Sequence, residues 1–117
     1  MSVSPSYKAF VLEQLSAAGT VTARSMFGGV GLYCRGLFFA LIDDDTLYLK
    51  VDDATRSEFE RLGSQPFRPF GDDSQGMQYY ELPADVLEDR VAVRPWVDRA
   101  LGAARRKASG KRRRPKA

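Results

Sequence analysis

From Leu37 to Ile42 six consecutive positions are apolar, Leu37-Phe38-Phe39-Ala40-Leu41-Ile42, and turn-forming residues close the run on both sides. Six residues are too few for an amphipathic helix of ordinary length and match one strand. Arg35-Gly36 stands before the run and Asp43-Asp44-Asp45 after it, and beyond these lie two more short apolar runs, about Gly31 to Cys34 and Leu47 to Val51. Short runs separated by two or three turn residues make antiparallel hairpins, so the pattern predicts a three-stranded meander. Leu47, Leu49 and Val51 alternate with Tyr48 and Lys50, as expected of a strand with one buried side. The central run has no polar side. It needs cover on both faces, helices on one and either another segment or a second subunit on the other.

The flanking segments supply helices and further strands. Ser4 can cap a helix and Pro5 suits its first position, with Tyr7, Val11, Leu15 and Ala18 at one-face spacing before Gly19 ends it. Thr20 to Arg24 reads as a polar link. After the meander, Asp52 or Asp53 can cap a short helix through Phe59 and Leu62 to Gly63. Pro66-Phe67-Arg68-Pro69-Phe70 is extended, because proline cannot donate to a central ladder, and suits an edge strand. Gly71 to Gly76 is a polar loop, and Met77 to Leu82 a fifth strand returning along the fourth. Ala84 to Asp89 begins a short helical turn, and Pro95 breaks the pattern so that a second helix starts near Arg94 and continues through Trp96, Ala100 and Ala104. The order α-β-β-β-α-β-β-α predicts an α+β fold of two layers, one antiparallel sheet of about five strands with helices mostly on one face. At 117 residues the chain is one domain in size.

Glycine clusters also bind phosphates, and Met26-Phe27-Gly28-Gly29-Val30-Gly31 must be tested for that. A phosphate loop needs a lysine directly after its last glycine, and none follows until Lys50. A dinucleotide fingerprint opens a helix, whereas Gly31-Leu32-Tyr33-Cys34 enters a strand. What remains is a backbone role, a tight turn or a close approach of another segment. No cofactor is expected.

Side chains that carry catalysis are scarce. The chain has no histidine, which removes the commonest general base and metal ligand, and its one cysteine, Cys34, sits on a predicted strand as a small apolar residue. The acidic turns Asp43-Asp44-Asp45 and Asp72-Asp73 lack the spaced pattern of a calcium loop. No metal site and no enzymatic activity are expected. The first residues lack the charged start and apolar middle of a signal peptide, and no run approaches a membrane span, so the expected compartment is the cytoplasm.

The net charge of +3 hides a division. Residues 1 to 104 hold 10 basic and 15 acidic side chains, a net of −5, while residues 105 to 117 hold 8 basic and none acidic. Arg105, Arg106, Lys107, Lys111, Arg112, Arg113, Arg114 and Lys116 make that final segment a basic tail, expected to be disordered beyond about Lys107. Such a tail can neutralise phosphates without reading bases.

Several spaced motifs together resemble the TfoX N-terminal domain family: Arg24-Ser25-Met26-Phe27-Gly28-Gly29-Val30-Gly31-Leu32-Tyr33, then Gly36 to Ile42, Leu47-Tyr48-Leu49-Lys50, Pro66-Phe67, Met77 to Pro83, and Trp96 in a late helix. The likeness runs from about Arg24 to Ala104. It implies a small α+β domain of the secretion-chaperone-like type and a non-enzymatic regulatory role. The family's best-known members are competence regulators that assist a cyclic-AMP receptor-type transcription factor. Met26, Phe27, Gly28, Gly29, Gly31, Tyr33 and Gly36 would then be structural motif residues. Phe38, Phe39, Tyr48, Tyr79, Tyr80 and Trp96 are the candidates for contact with a protein partner or a second copy of the chain. Those regulators carry a second domain where this chain has its basic tail. The alternative function is that of a nucleic-acid accessory protein working through the tail.

Overall fold

The computed structural model describes residues 3–16, 19–26, 29–67 and 78–112. The expected meander is present and has one strand more. Strands β1 (Val21–Met26), β2 (Gly29–Cys34), β3 (Leu37–Asp43), β4 (Thr46–Lys50) and β5 (Tyr79–Glu81) form one sheet in that order. Every neighbouring pair is antiparallel. Arg35 and Gly36 turn β2 into β3 with φ of 53° and 79°, and Asp44 and Asp45 turn β3 into β4 with φ of 53° each. Two central residues with positive φ give the turn whose twist matches the flanking strands, and Asp tolerates that region better than most residues.

Thr20 to Arg24 is therefore not a link, since β1 begins at Val21. It is the first strand in the sheet, with a neighbour on one side only, and the two-residue period of a strand packs Val21 and Ala23 against the core while Thr22 and Arg24 stay exposed. An edge strand of this kind shows only a weak apolar alternation.

The run Leu37 to Ile42 owes its unbroken apolar character to a bulge. Leu32 pairs with Ala40 and Tyr33 with Phe38, which leaves Phe39 without an opposite residue. Phe39 and Ala40 are consecutive and both fully buried. A bulge brings two successive side chains to one side, which a regular strand cannot do. Only Phe38 and Leu41 are left for the outer face, both half-buried.

The inner face carries the helices. Helix α1 (Pro5–Leu15) is capped by Ser4, whose Oγ accepts from the Tyr7 N–H at 3.2 Å, and the Ser4 N–H donates to Asp45 Oδ1 at 2.8 Å, pinning the helix start to the β3–β4 turn. Val11 and Leu15 enter the core. Helix α2 (Arg56–Arg61) starts later than the Asp52 or Asp53 cap predicts: Thr55 is its cap residue, and the Asp52 carboxylate instead accepts from the Ala54 N–H at 3.1 Å in the turn before it. Gly63 follows with φ 79°. Phe59 of α2, fully buried, meets Tyr80 at 6.2 Å and Trp96 at 4.9 Å between ring centroids.

After β5 come α3 (Ala84–Leu87) and α4 (Arg90–Arg112). The predicted restart near Arg94 does not occur, because α4 begins at Arg90 and runs through Pro95. Asp89 secures that start by accepting from the Val91 and Ala92 N–H groups at 2.9 and 3.1 Å. A side-chain cap contributes about 1 kcal/mol. Val93, Val97, Leu101 and Ala104 then hold the next turns in the core, against a proline that an interior helix position tolerates poorly. At its other end α4 continues to Arg112, well into the segment expected to be a disordered tail. Alanine, arginine and lysine are strong helix formers, and Arg106 is tied to Asp52 by contacts of 2.6 and 3.1 Å.

The predicted strand at Pro66 to Phe70 reduces, among the described residues, to a bridge between Pro66 and Tyr80, with the Phe67 N–H donating to the Tyr79 carbonyl at 2.8 Å. This does place the proline segment at the sheet's other margin. Residues 68–77, including Arg68, Pro69, Phe70, Asp72, Asp73 and Met77, lie outside the described residues, as do Ala18, Phe27, Gly28, Arg113, Arg114 and Lys116 and the side chains of Met26, Lys111 and Arg112. No described helix is long and apolar enough to cross a membrane. The architecture is the expected one, an α+β domain with an antiparallel sheet and helices behind it.

Candidate functional site

The register sorts the strand residues onto two faces, and the outer face collects rings. Tyr33 of β2 pairs with Phe38 of β3, their rings stacked at 5.1 Å and 21°. Phe38 meets Tyr79 of β5 at 5.6 Å, and Lys50 of β4, paired with Tyr79, holds its ammonium 4.8 Å from that ring's centre. At the β1 margin the Arg24 guanidinium lies 5.8 Å from the centre of the Tyr33 ring. A row of three rings thus runs across the sheet, with Arg24 at its β1 end and Lys50, on the strand between Phe38 and Tyr79, over the last ring. Tyr33 and Phe38 are half-buried, whereas Tyr79 is 5% exposed and forms the floor. A second ring pair, Tyr48 with Phe67 at 4.8 Å, has acidic surroundings, since Glu81, Asp43 and Asp44 act with burial to raise the Tyr48 pKa.

The part of the row at Lys50 adjoins the basic end of α4. Strand β4 stops at Lys50, and two residues later Asp52 grips Arg106. The hydrogen bond from Arg106 holds the Asp52 carboxyl below its usual range despite partial burial. Lys50 itself is 9% exposed, and burial first, then repulsion from Lys107, lower its pKa. No described carboxylate forms an ion pair with Lys50 or Lys107. Arg105 and Lys107 are exposed. Burial raises the Tyr79 pKa to about 12, so this phenol stays neutral beside the ammonium.

Elsewhere a cavity of about 400 Å³ opens between α1, the start of β4 and α3, lined by Tyr7, Phe10, Asp45, Leu47, Glu81 and Glu88 among others. Burial and the Asp45 carboxylate raise the Tyr7 pKa, so this wall offers a neutral phenol and three carboxyl groups. Among the described residues no group of three or more Cys, Asp or Glu side chains is placed to hold a metal ion. Cys34 is 1% exposed and points into the core, where it packs as a small apolar side chain.

The model of the TfoX N-terminal domain matches residues 13–104, most of the chain. The chain belongs to this family. It is also similar to the DNA transformation protein TfoX1 of Aliivibrio fischeri (strain ATCC 700601 / ES114), with 40% identity over 50 residues. That stretch covers 43% of this chain and 24% of the relative, so the likeness reaches only about a quarter of the relative's length. The TfoX N-terminal match begins inside α1, earlier than the likeness legible from Arg24 onward, and it stops at Ala104, before the basic end of α4.

Within the TfoX N-terminal domain the predicted residues fall into separate groups. Gly29 is a packing position: a Cβ there would lie 2.5 Å from the Ile42 carbonyl oxygen, so only glycine lets β2 approach β3 at that point. Gly36 serves the β2–β3 turn. Gly31 sits opposite both Arg24 and Leu41 on the outer face, and Tyr33 proves to be more than a motif residue, since it anchors the ring row. Of the six candidates for contact, Phe38, Tyr48 and Tyr79 share the outer face. Phe39 and Tyr80 are core residues, and Trp96 is held on the helical side between Phe59 and the Arg99 guanidinium, 4.4 Å from its ring centre. Arg24, Lys50 and Phe67 are the outer-face residues that were not singled out. Strand alternation places Lys50 opposite Leu49, but nothing local indicates that Arg24 lies in a strand at all.

Proposed function

We propose that this domain is a non-enzymatic regulatory module of the competence type, acting in the cytoplasm by contact with a protein of the transcription-factor class, alone or as a homodimer. The observation that carries the reading is the TfoX N-terminal match over residues 13–104, together with likeness to a protein named for DNA transformation. The side-chain inventory agrees with it. The chain has no histidine and its only thiol is buried, so two usual sources of acid–base and nucleophilic chemistry are withdrawn from solvent. The test is calorimetric titration of the purified chain into a purified cyclic-AMP receptor-type factor from the same cells, with light scattering of each alone. A saturable complex supports the reading; a strict monomer that gives no heat with the factor at about 100 times a micromolar dissociation constant defeats it.

A second reading, a nucleic-acid accessory protein, is favoured by one observation. Arg105 and Lys107 stand exposed on the helical continuation of α4, held by the Asp52 to Arg106 pair. Comparing DNA binding of the intact chain and of a chain ending at Ala104 tests it, and equal affinity removes the basic end from the account.

A further inference from the structure

Two features that are far apart in the sequence meet at one end of the sheet. One is the ring row on the outer face, and the other is the basic end of α4. We propose that the row formed by Tyr33, Phe38 and Tyr79, flanked by Arg24 and Lys50 and continued by Lys107, is a binding surface for single-stranded nucleic acid. This rests on the second reading above and gives it a place and a substrate class.

Three observations carry it. The helices lie on the inner face, and no described helix covers the row. A flat antiparallel sheet with rings on its free side is the arrangement on which unpaired bases stack, about two or three per sheet. The ring spacings of 5.1 and 5.6 Å make the row continuous from β2 to β5. Charge then selects the path. Arg24, exposed at the β1 end of the row, and Lys107, exposed beyond Lys50, have no described carboxylate in an ion pair and can meet phosphates, while Lys50, buried against the Tyr79 ring, adds positive potential between them. The Tyr48 and Phe67 pair, with Glu81, Asp43 and Asp44 acting on Tyr48, repels a polyanion, so the strand follows the row and leaves over Lys50 towards Lys107. Duplex DNA is the poorer ligand because its bases are already stacked, and it can use only the cations. A second copy of the chain is also disfavoured, since face-to-face stacking would set Arg24 and Lys50 of one copy against cations of the other.

The decisive experiment is fluorescence anisotropy with a labelled 12-nucleotide mixed-sequence single strand and the corresponding duplex, titrated with the intact chain at several salt concentrations. The single strand should bind at least tenfold more tightly than the duplex, with a salt slope near −2, as expected of about three neutralised phosphates at roughly 0.7 each. Tyr33→Leu, which keeps apolar area but removes the ring, should weaken the single strand roughly tenfold and leave the salt slope unchanged, while Tyr33→Phe should bind as the parent does. Lys107→Gln should lower the slope by about 0.7. Circular dichroism confirms that each variant is folded, and ultraviolet cross-linking to a thiouridine oligomer should mark the peptide containing Tyr33 and Phe38. Equal affinity for single strand and duplex, indifferent to Tyr33→Leu but lost on ending the chain at Ala104, overturns the proposal and leaves the accessory reading standing. Absence of binding to either ligand at low salt overturns both.

Discussion

Gly29→Ala adds one methyl group where β2 comes closest to β3. The new Cβ would lie 2.5 Å from the Ile42 carbonyl oxygen, and such contacts do not sit below 3.0 Å, so the strands must part by at least about half an ångström. The obstructing atom is backbone, next to the Val30 and Ile42 pair, and cannot rotate away like the tip of a flexible side chain. Overpacking of this kind costs about 1–3 kcal/mol. Against it stands a gain of about 0.5–1 kcal/mol, because alanine gives up less conformational freedom on folding than glycine. Gly29 has no positive φ, so no backbone strain enters. Taking the middle of each range, the steric effect wins by roughly 1 kcal/mol. For a chain of this size that lowers the melting temperature by roughly 2–8 °C. Thermal and urea melts followed by circular dichroism read it. Gly36→Ala is the contrasting case: nothing lies within 4 Å of its Cβ position, and its φ of 79° alone makes alanine strained. Gly36→Asn should recover much of that loss because asparagine tolerates the left-handed region, whereas Gly29→Asn should recover nothing. A Gly29→Ala protein as stable as the parent would refute the close-approach account of this glycine.

Phe59→Ala empties the space shared with Tyr80 and Trp96, and should cost about 3–5 kcal/mol in urea melts with a red shift of Trp96 emission. Asp89→Ala removes the acceptor of the Val91 and Ala92 N–H groups and should cost about 1 kcal/mol, visible as a lower melting temperature with little change in helix content at 20 °C. Asp52 has a depressed carboxyl pKa in the folded chain, so its contribution is present above the unfolded value near 3.8 and lost as pH falls through the lower folded value. The Arg106 partner is half-exposed, which limits the effect to under about 1 kcal/mol. Asp52→Asn should accordingly shrink the loss of stability between pH 6 and pH 2, and an unchanged acid limb would rule out this pair as a contributor.

Much of the inner layer was legible because its causes are local. Ser4 before Pro5 marks a helix start by the chemistry of a cap, and Arg35-Gly36 and the aspartate cluster mark turns because few residues accept positive φ. What was hidden depends on partners distant in sequence. β1 has too few apolar residues to read as a strand, and only its pairing with β2 makes it one. Phe39 and Phe38 look alike in sequence, yet the bulge sends the first into the core and leaves the second outside. Pro95 signals a break, but the Asp89 cap and the buried Val93 and Val97 outweigh it. The basic segment reads as a tail until Asp52, more than fifty residues earlier in the chain, is found holding Arg106.

The two faces of the sheet answer to different demands, and that difference can be measured. A residue such as Phe59 or Leu32 is needed because its removal leaves a hole in a packed interior. Tyr33 and Phe38 lie on the face that no described helix covers, where strand pairing could be served almost as well by threonine or valine. Their stacked contact is worth about 0.5–1.5 kcal/mol beyond area, partly recovered by a β-branched replacement. Tyr33→Thr should therefore cost no more than about 1 kcal/mol in a urea melt while removing a ring from the row. If instead it destabilises the domain as much as Phe59→Ala does, the outer rings belong to a second core, and their arrangement between Arg24 and Lys50 is explained by folding alone.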